Sequence, residues 1–137
     1  MAGCDAPSIG TQITRSLQNS ETGYFVNFDF ASEILSHDAI EHLTRLSKLL
    51  TGPLSDLCVK LVGHTDTRGS NSYNQVLSEK RAERVWMFMV GPGLMQSGRI
   101  IAEGRGETEP LKRILGSDPK NRRVEILAKK TAIGTCH

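Results

Sequence analysis

The chain has 137 residues and a mass of 15.0 kDa, room for one domain and not comfortably for two. Its 17 Lys and Arg against 15 Asp and Glu leave a formal net charge of +2, too balanced for nucleic-acid binding by bulk charge. Only 5% of residues are aromatic, which leaves few stacking platforms for single strands or sugar rings, and no apolar run approaches the roughly 20 residues of a membrane-spanning helix.

Residues 1–20 are rich in Ser, Thr, Gly and Gln and read as a flexible leader or linker. A strand is expected at Tyr24 to Phe28. Ser36 to Leu50 has the helical period, with Ile40, Leu43, Leu46, Leu49 and Leu50 on one stripe, Ser36 as N-cap and Gly52-Pro53 as the stop. Leu57 to Val62 alternates as a strand. Gly63 to Ser70 is a polar loop, and a second helix spans about Asn71 to Val90, ended by Gly91-Pro92-Gly93. A third strand is expected at Arg99 to Glu103, then a Gly-, Pro- and charge-rich loop, then a last strand at Arg122 to Ala128, with residues 131–137 as a tail. The order βαβαβ–β, with both helices crossing between strands, predicts an α/β (α+β) fold: a mixed sheet with the helices packed on one face, all within residues 21–130.

Three cysteines, Cys4, Cys58 and Cys136, make a poor disulfide framework and share no metal-site spacing. Cys58 lies in an apolar strand and reads as a small buried hydrophobe. Cys4 and Cys136 could pair in an oxidising compartment, though nothing in the sequence requires it. The start Met1-Ala2-Gly3-Cys4 is no signal peptide, but it looks like the end of a bacterial lipoprotein signal, which would make Cys4 a lipid anchor. The alternative is an ordinary N-terminus with a chance Gly-Cys.

The loop from Gly63 to Ser70 joins a strand end to a helix start, where ligands tend to bind in α/β folds. It lacks the Gly-Lys-Ser/Thr ending of a phosphate loop, and Asp66 would repel a phosphate. His64 and Asp66 find no third metal ligand at a clean spacing among His37, His42 and His137. No serine sits on a nucleophile elbow, and no carboxylate pair is arranged for acid–base work. On the second helix, Asn74, Leu77, Ser78, Arg81 and Val85 share one side. Arg81 on that stripe calls for an anionic partner, and Asp66 is the nearest candidate. A structural Asp66–Arg81 salt bridge, or an Arg81 that snorkels to solvent, is the simpler reading of the pattern. The functional one is a pocket for a zwitterion, its ammonium near Asp66 and its carboxylate held by Arg81.

The runs Gly63-His64-Thr65-Asp66, Gly69-Ser70, Tyr73-Asn74, Leu77-Ser78-Glu79, Arg81-Ala82 and Val85 closely resemble the OmpA-like peptidoglycan-binding domain. So do Phe28-Asp29-Phe30-Ala31-Ser32, the Gly104 to Pro110 loop, and Asn121-Arg122-Arg123-Val124-Glu125-Ile126. The resemblance covers about Tyr24 to Ala128. It implies non-covalent binding of the peptide stem of peptidoglycan through diaminopimelate, with no catalysis and no cofactor. Carried over residue by residue, it implies that Asp66 and Arg81 hold the amino-acid end of diaminopimelate. Asn74 and Leu77 line that pocket, Thr67 adjoins it, and Asp29 lies at the end of the first strand. Strand parity puts Arg122 with Val124 on the packed face, which favours Arg122 over Arg123 for the site. His64 is expected in a structural role.

The expectation is therefore a periplasmic module that ties the outer membrane of a Gram-negative bacterium to its wall, through a lipid on Cys4 or a parent protein. Asp66→Ala or Arg81→Ala should abolish binding with the fold intact. One alternative is an interaction domain of a stator or secretion system, a homodimer meeting through the bulky Trp86 to Met89 segment, although covering the sheet end is the simpler role for those side chains. Another is a cell-wall hydrolase using His64 and Asp66.

Overall fold

The computed structural model describes residues 24–91, 95–130 and Cys136; the leader and most of the tail lie outside the described residues. Four strands, β1 (Tyr24–Asn27), β2 (Leu57–Gly63), β3 (Ile100–Gly104) and β4 (Arg123–Lys130), and two helices, α1 (His37–Leu50) and α2 (Asn71–Val90), follow the expected order. Single 3-10 turns, Ser97–Arg99 and Pro119–Asn121, precede β3 and β4. The sheet order is β1-β4-β2-β3. β2 and β3 are parallel, and β4 runs antiparallel to both β1 and β2, so the sheet is mixed.

Alternation decides which side chains meet the helices. Val26, Val59, Leu61, Val124, Ile126 and Ala128 join the helix residues in one core. Ser36 caps α1 by accepting from the Ala39 N–H at 3.0 Å. The helix buries Ala39, Leu43, Leu46 and Leu50. Ile40 is exposed, contrary to the stripe read from sequence, because it lies one step round from Ala39 and the stripe is centred on the alanine side. Below α1, the Arg99 guanidinium donates to the carbonyls of Leu50 (2.8 Å), Leu54 (3.3 Å) and Leu57 (2.7 Å), satisfying groups at the helix end and the start of β2.

α2 is capped by Ser70, which accepts from the Tyr73 N–H at 3.1 Å. It buries Asn74, Leu77, Ser78, Arg81, Ala82, Val85 and Met89. Its polar end lies tight on the sheet: a Cβ on Gly63 would overlap the Ser78 carbonyl oxygen, and one on Gly104 the Ser78 hydroxyl. Trp86 donates to the Ile100 carbonyl at 3.0 Å, Phe88 packs against the core and Met89 is buried, so these three cover the sheet; Met87 is exposed.

Cys58 is buried, as read from sequence, but its sulfur is bonded to Cys136, with 5.4 Å between the Cα atoms. The reason lies in the topology. Cys58 is on the sheet face away from the helices, opposite Lys129 of β4, and Cys136 is six residues beyond the end of β4 in sequence.

Candidate functional site

A cavity of about 260 Å³ opens where the C-terminal end of β2 meets the start of α2 and the loop after β1. Its lining includes Phe30, Asp66, Arg68, Tyr73, Leu77 and Arg122, and behind them Ala31, Thr65, Gly69, Asn74 and Arg81.

Asp66 sits near the floor with its side chain only 4% exposed. Its Oδ1 accepts the Arg68 backbone N–H at 3.0 Å, the bond of an Asx-turn. Its Oδ2 accepts from the Arg68 guanidinium at 3.2 Å and the Arg122 guanidinium at 3.4 Å. The direct Asp66–Arg81 salt bridge considered from sequence is not among the bonds of the described residues.

Arg81 instead is wholly buried. Its Nε donates to the Ser32 carbonyl at 2.8 Å, and its terminal nitrogens donate to the carbonyls of His64 at 3.0 Å and Asp29 at 3.1 Å. The guanidinium thus holds the turn Asp29–Ser32 against the end of β2. Ala31, inside that turn, has φ +54°, a left-handed conformation that a non-glycine residue keeps only when its surroundings impose it. Burial, and then the positive charge of Arg122, push the Arg81 pKa down to about 10 against the opposing pull of Asp66 and Tyr73, so the group stays charged at neutral pH. Removing this side chain would take the donor from the Ser32 and His64 carbonyls, so Arg81→Ala is expected to disturb the fold as well as the cavity.

Asn74 donates to the carbonyls of Asp66 (3.3 Å) and Arg68 (2.9 Å) and to Glu107 Oε1 (2.9 Å), which fixes the loop between β2 and α2. Arg122 does not belong to β4, as strand parity assumed. It follows the 3-10 turn, and its Nε donates to the Phe28 carbonyl at 2.8 Å, which swings the guanidinium to Asp66. Arg123 is turned to the other sheet face, where it is buried against Glu125 at 3.3 Å. Thr67 and Asp29 lie off the cavity lining. Thr67 is exposed and donates its N–H to the Gly116 carbonyl, while Asp29 contributes only its carbonyl to Arg81.

His64 and Asp66, two residues apart in the loop, do not share a site. The His64 ring is buried and its Nε2 is 2.8 Å from Glu125 Oε1. Burial pushes the Glu125 carboxyl up, but its hydrogen bond to His64 and the charge of Arg123 outweigh this and hold it below the usual carboxylate range.

Phe30, Arg68 and Tyr73 were missed from sequence as site residues. The Arg68 guanidinium lies 4.2 Å from the Phe30 ring centroid. Tyr73 lies four residues before Leu77, and that helical spacing was its signal; the return of Arg68 onto Asp66 has no sequence signal beyond the turn itself.

The sequence profile of the OmpA family matches residues 27–123. Outer membrane porin F of Pseudomonas fluorescens is 36% identical over 87 residues, which cover 63% of this chain and 26% of that protein. The chain spans 13% to 36% of the length of three curated relatives it matches. Among solved structures, the OmpA-like domain of FopA1 from Francisella tularensis superposes with a TM-score of 0.69 at 27% identity, covering 79% of this chain and 74% of that one. The cell wall anchor of the T6SS from Pseudomonas aeruginosa superposes with a TM-score of 0.58 at 30% identity, covering 74% and 76%.

Proposed function

Because the chain belongs to the OmpA family, we propose that its cavity binds peptidoglycan non-covalently through the diaminopimelate of the stem peptide. The observation that carries this reading is a nearly buried carboxylate, Asp66, set among guanidinium groups in one small cavity. Diaminopimelate ends in an ammonium and a carboxylate on one carbon. Asp66 suits the ammonium; Arg122 offers N–H groups to the carboxylate, and Arg81 adds its charge from behind the wall. Leu77 and the rings of Phe30 and Tyr73 suit the methylene stem. Asn74 keeps the loop in shape for this, and the Asp29 carbonyl helps to hold Arg81 in place.

The module would anchor an envelope protein to the wall, in keeping with its likeness to the cell wall anchor of the T6SS. We place it in the periplasm at the outer membrane, tethered by a lipid on Cys4 or by a parent protein. The Cys58–Cys136 disulfide favours an oxidising compartment of that kind.

Sedimentation with purified cell-wall sacculi tests the reading. Wild-type protein is expected to pellet, and Asp66→Asn, which keeps the side-chain volume and removes the charge, is expected to bind at least about tenfold more weakly. Equal sedimentation of the two proteins would sink the site assignment.

A further inference from the structure

We infer that the open edge of β3 is a docking groove for a short extended segment of a partner protein, one that presents a Lys or Arg side chain opposite Ala102. The groove is separate from the cavity described above and does not depend on what that cavity binds.

A second cavity, of about 680 Å³, lies along this edge. β3 forms one wall, from Ile100 to Gly104, and Glu79, Glu83 and Trp86 of α2 form the other. Gln75, Glu79, Glu83 and Trp86 follow one another along a single side of the helix. The two ends of that stripe are bonded to the strand: Trp86 donates to the Ile100 carbonyl and Gln75 to the Gly104 carbonyl. The Ile100 N–H is also taken, by the Ser97 carbonyl. Ala102 lies between these ends and is exposed. The Arg105 N–H donates to the Gly63 carbonyl of β2, so alternation turns the N–H and C=O of Ala102 away from β2 and into the groove. The occupied carbonyls on either side bar a long added strand. One residue of an extended peptide can still exchange both hydrogen bonds with Ala102.

Charge selects the occupant. A residue paired with Ala102 points its side chain to the same sheet face, the one that carries α2. There it meets the Trp86 ring and the carboxylates of Glu79 and Glu83, neither of which has an ion pair among the described residues. Glu103, the third carboxylate of the lining, is already paired with Lys60 and Arg105. A cationic side chain thus gains two carboxylates and an aromatic face. The next peptide residue points to the other face, beside the exposed Ile101, where an apolar side chain fits. A second copy of this chain is a poor occupant, because pairing β3 with β3 would set the glutamates of one copy against those of the other.

The test is selection from a random heptapeptide phage library on the immobilised full chain, then NMR titration with the most enriched peptide. Enriched sequences are expected to carry a Lys or Arg beside an apolar residue. The peptide should move the Ala102 amide and Trp86 indole N–H resonances, and the same peptide with Glu at the basic position should not. Its affinity should fall at least about tenfold for Glu79→Gln/Glu83→Gln, while sacculus sedimentation of that variant stays at the wild-type level. No enrichment, enrichment without a basic residue, or equal affinity for the two proteins overturns the proposal. Edge resonances that move with protein concentration alone overturn it in favour of a second copy.

Discussion

The most demanding side chain in the molecule is Arg81. A guanidinium taken fully out of water needs acceptors, and here three carbonyls from two separate loops take three of its five N–H groups. Arg81→Ala is therefore expected to destabilise the fold by about 3–5 kcal/mol, read from urea unfolding, and a loss of binding in that variant would combine the lost charge with the disturbed turn. Asp66→Asn should unfold at nearly the wild-type midpoint while losing sacculus binding. A second buried charge, Glu125, has a pH signature. Its carboxyl titrates below the unfolded value of 4.5, so its contribution is complete above that value and is lost as pH falls through the folded pKa. Urea midpoints between about pH 6 and pH 3 should fall more steeply for wild type than for Glu125→Gln. Equal slopes would mean that the His64–Glu125–Arg123 cluster adds nothing to acid sensitivity. At this scale the sequence was half legible. Helical spacing put Asn74, Leu77 and Arg81 on one side, because period and burial are local properties. That Arg81 is spent on backbone carbonyls, and that Arg68 takes its place beside Asp66, depends on where the loop after β1 lies, and no spacing encodes that.

At the scale of elements, the cavity exists because α2 is seated deep on the end of the sheet. Gly63 and Gly104 permit this by leaving room for Ser78, whose hydroxyl accepts the Gly106 N–H at 2.8 Å. Gly63→Ala drives a methyl into the α2 backbone, which cannot yield as a side-chain tip can. A loss of about 3 kcal/mol is expected in thermal or urea unfolding, and a change below about 0.5 kcal/mol would show that α2 shifts freely. The same helix guards the sheet's open edge. Trp86 and Gln75 donate to the Ile100 and Gly104 carbonyls of β3, occupying two groups that another strand could otherwise pair with. Most of the elements were legible, since Ser36 and Ser70 mark helix starts and the strands alternate cleanly. The start of β4 was misplaced by one residue, and that residue was Arg122: a 3-10 turn, which the Pro119 position hints at, sets its direction.

Across the whole molecule, the disulfide closes a separation of 78 residues and fastens the far end of the chain to the central strand β2. By loop-closure entropy, Cys136→Ser is expected to lose about 4 kcal/mol, with reductant having the same effect on wild type and none on the variant. The sequence could not show this pairing. It requires β4 to lie antiparallel beside β2, which is a property of the assembled sheet.

The topology also sets a direction for mechanical load. The cavity lies at the C-terminal end of β2, and β1 runs parallel to β2 with β4 between them, so Tyr24, level with Leu61, is at the end of β1 away from the cavity. Tension between a ligand in the cavity and Tyr24 would run along β1 and pull it lengthwise past β4. The four residue pairs of that ladder would then share the force and yield together, where a peeling load would open them one at a time. A tether joined at Tyr24 would thus meet the short strand in its stiffer direction.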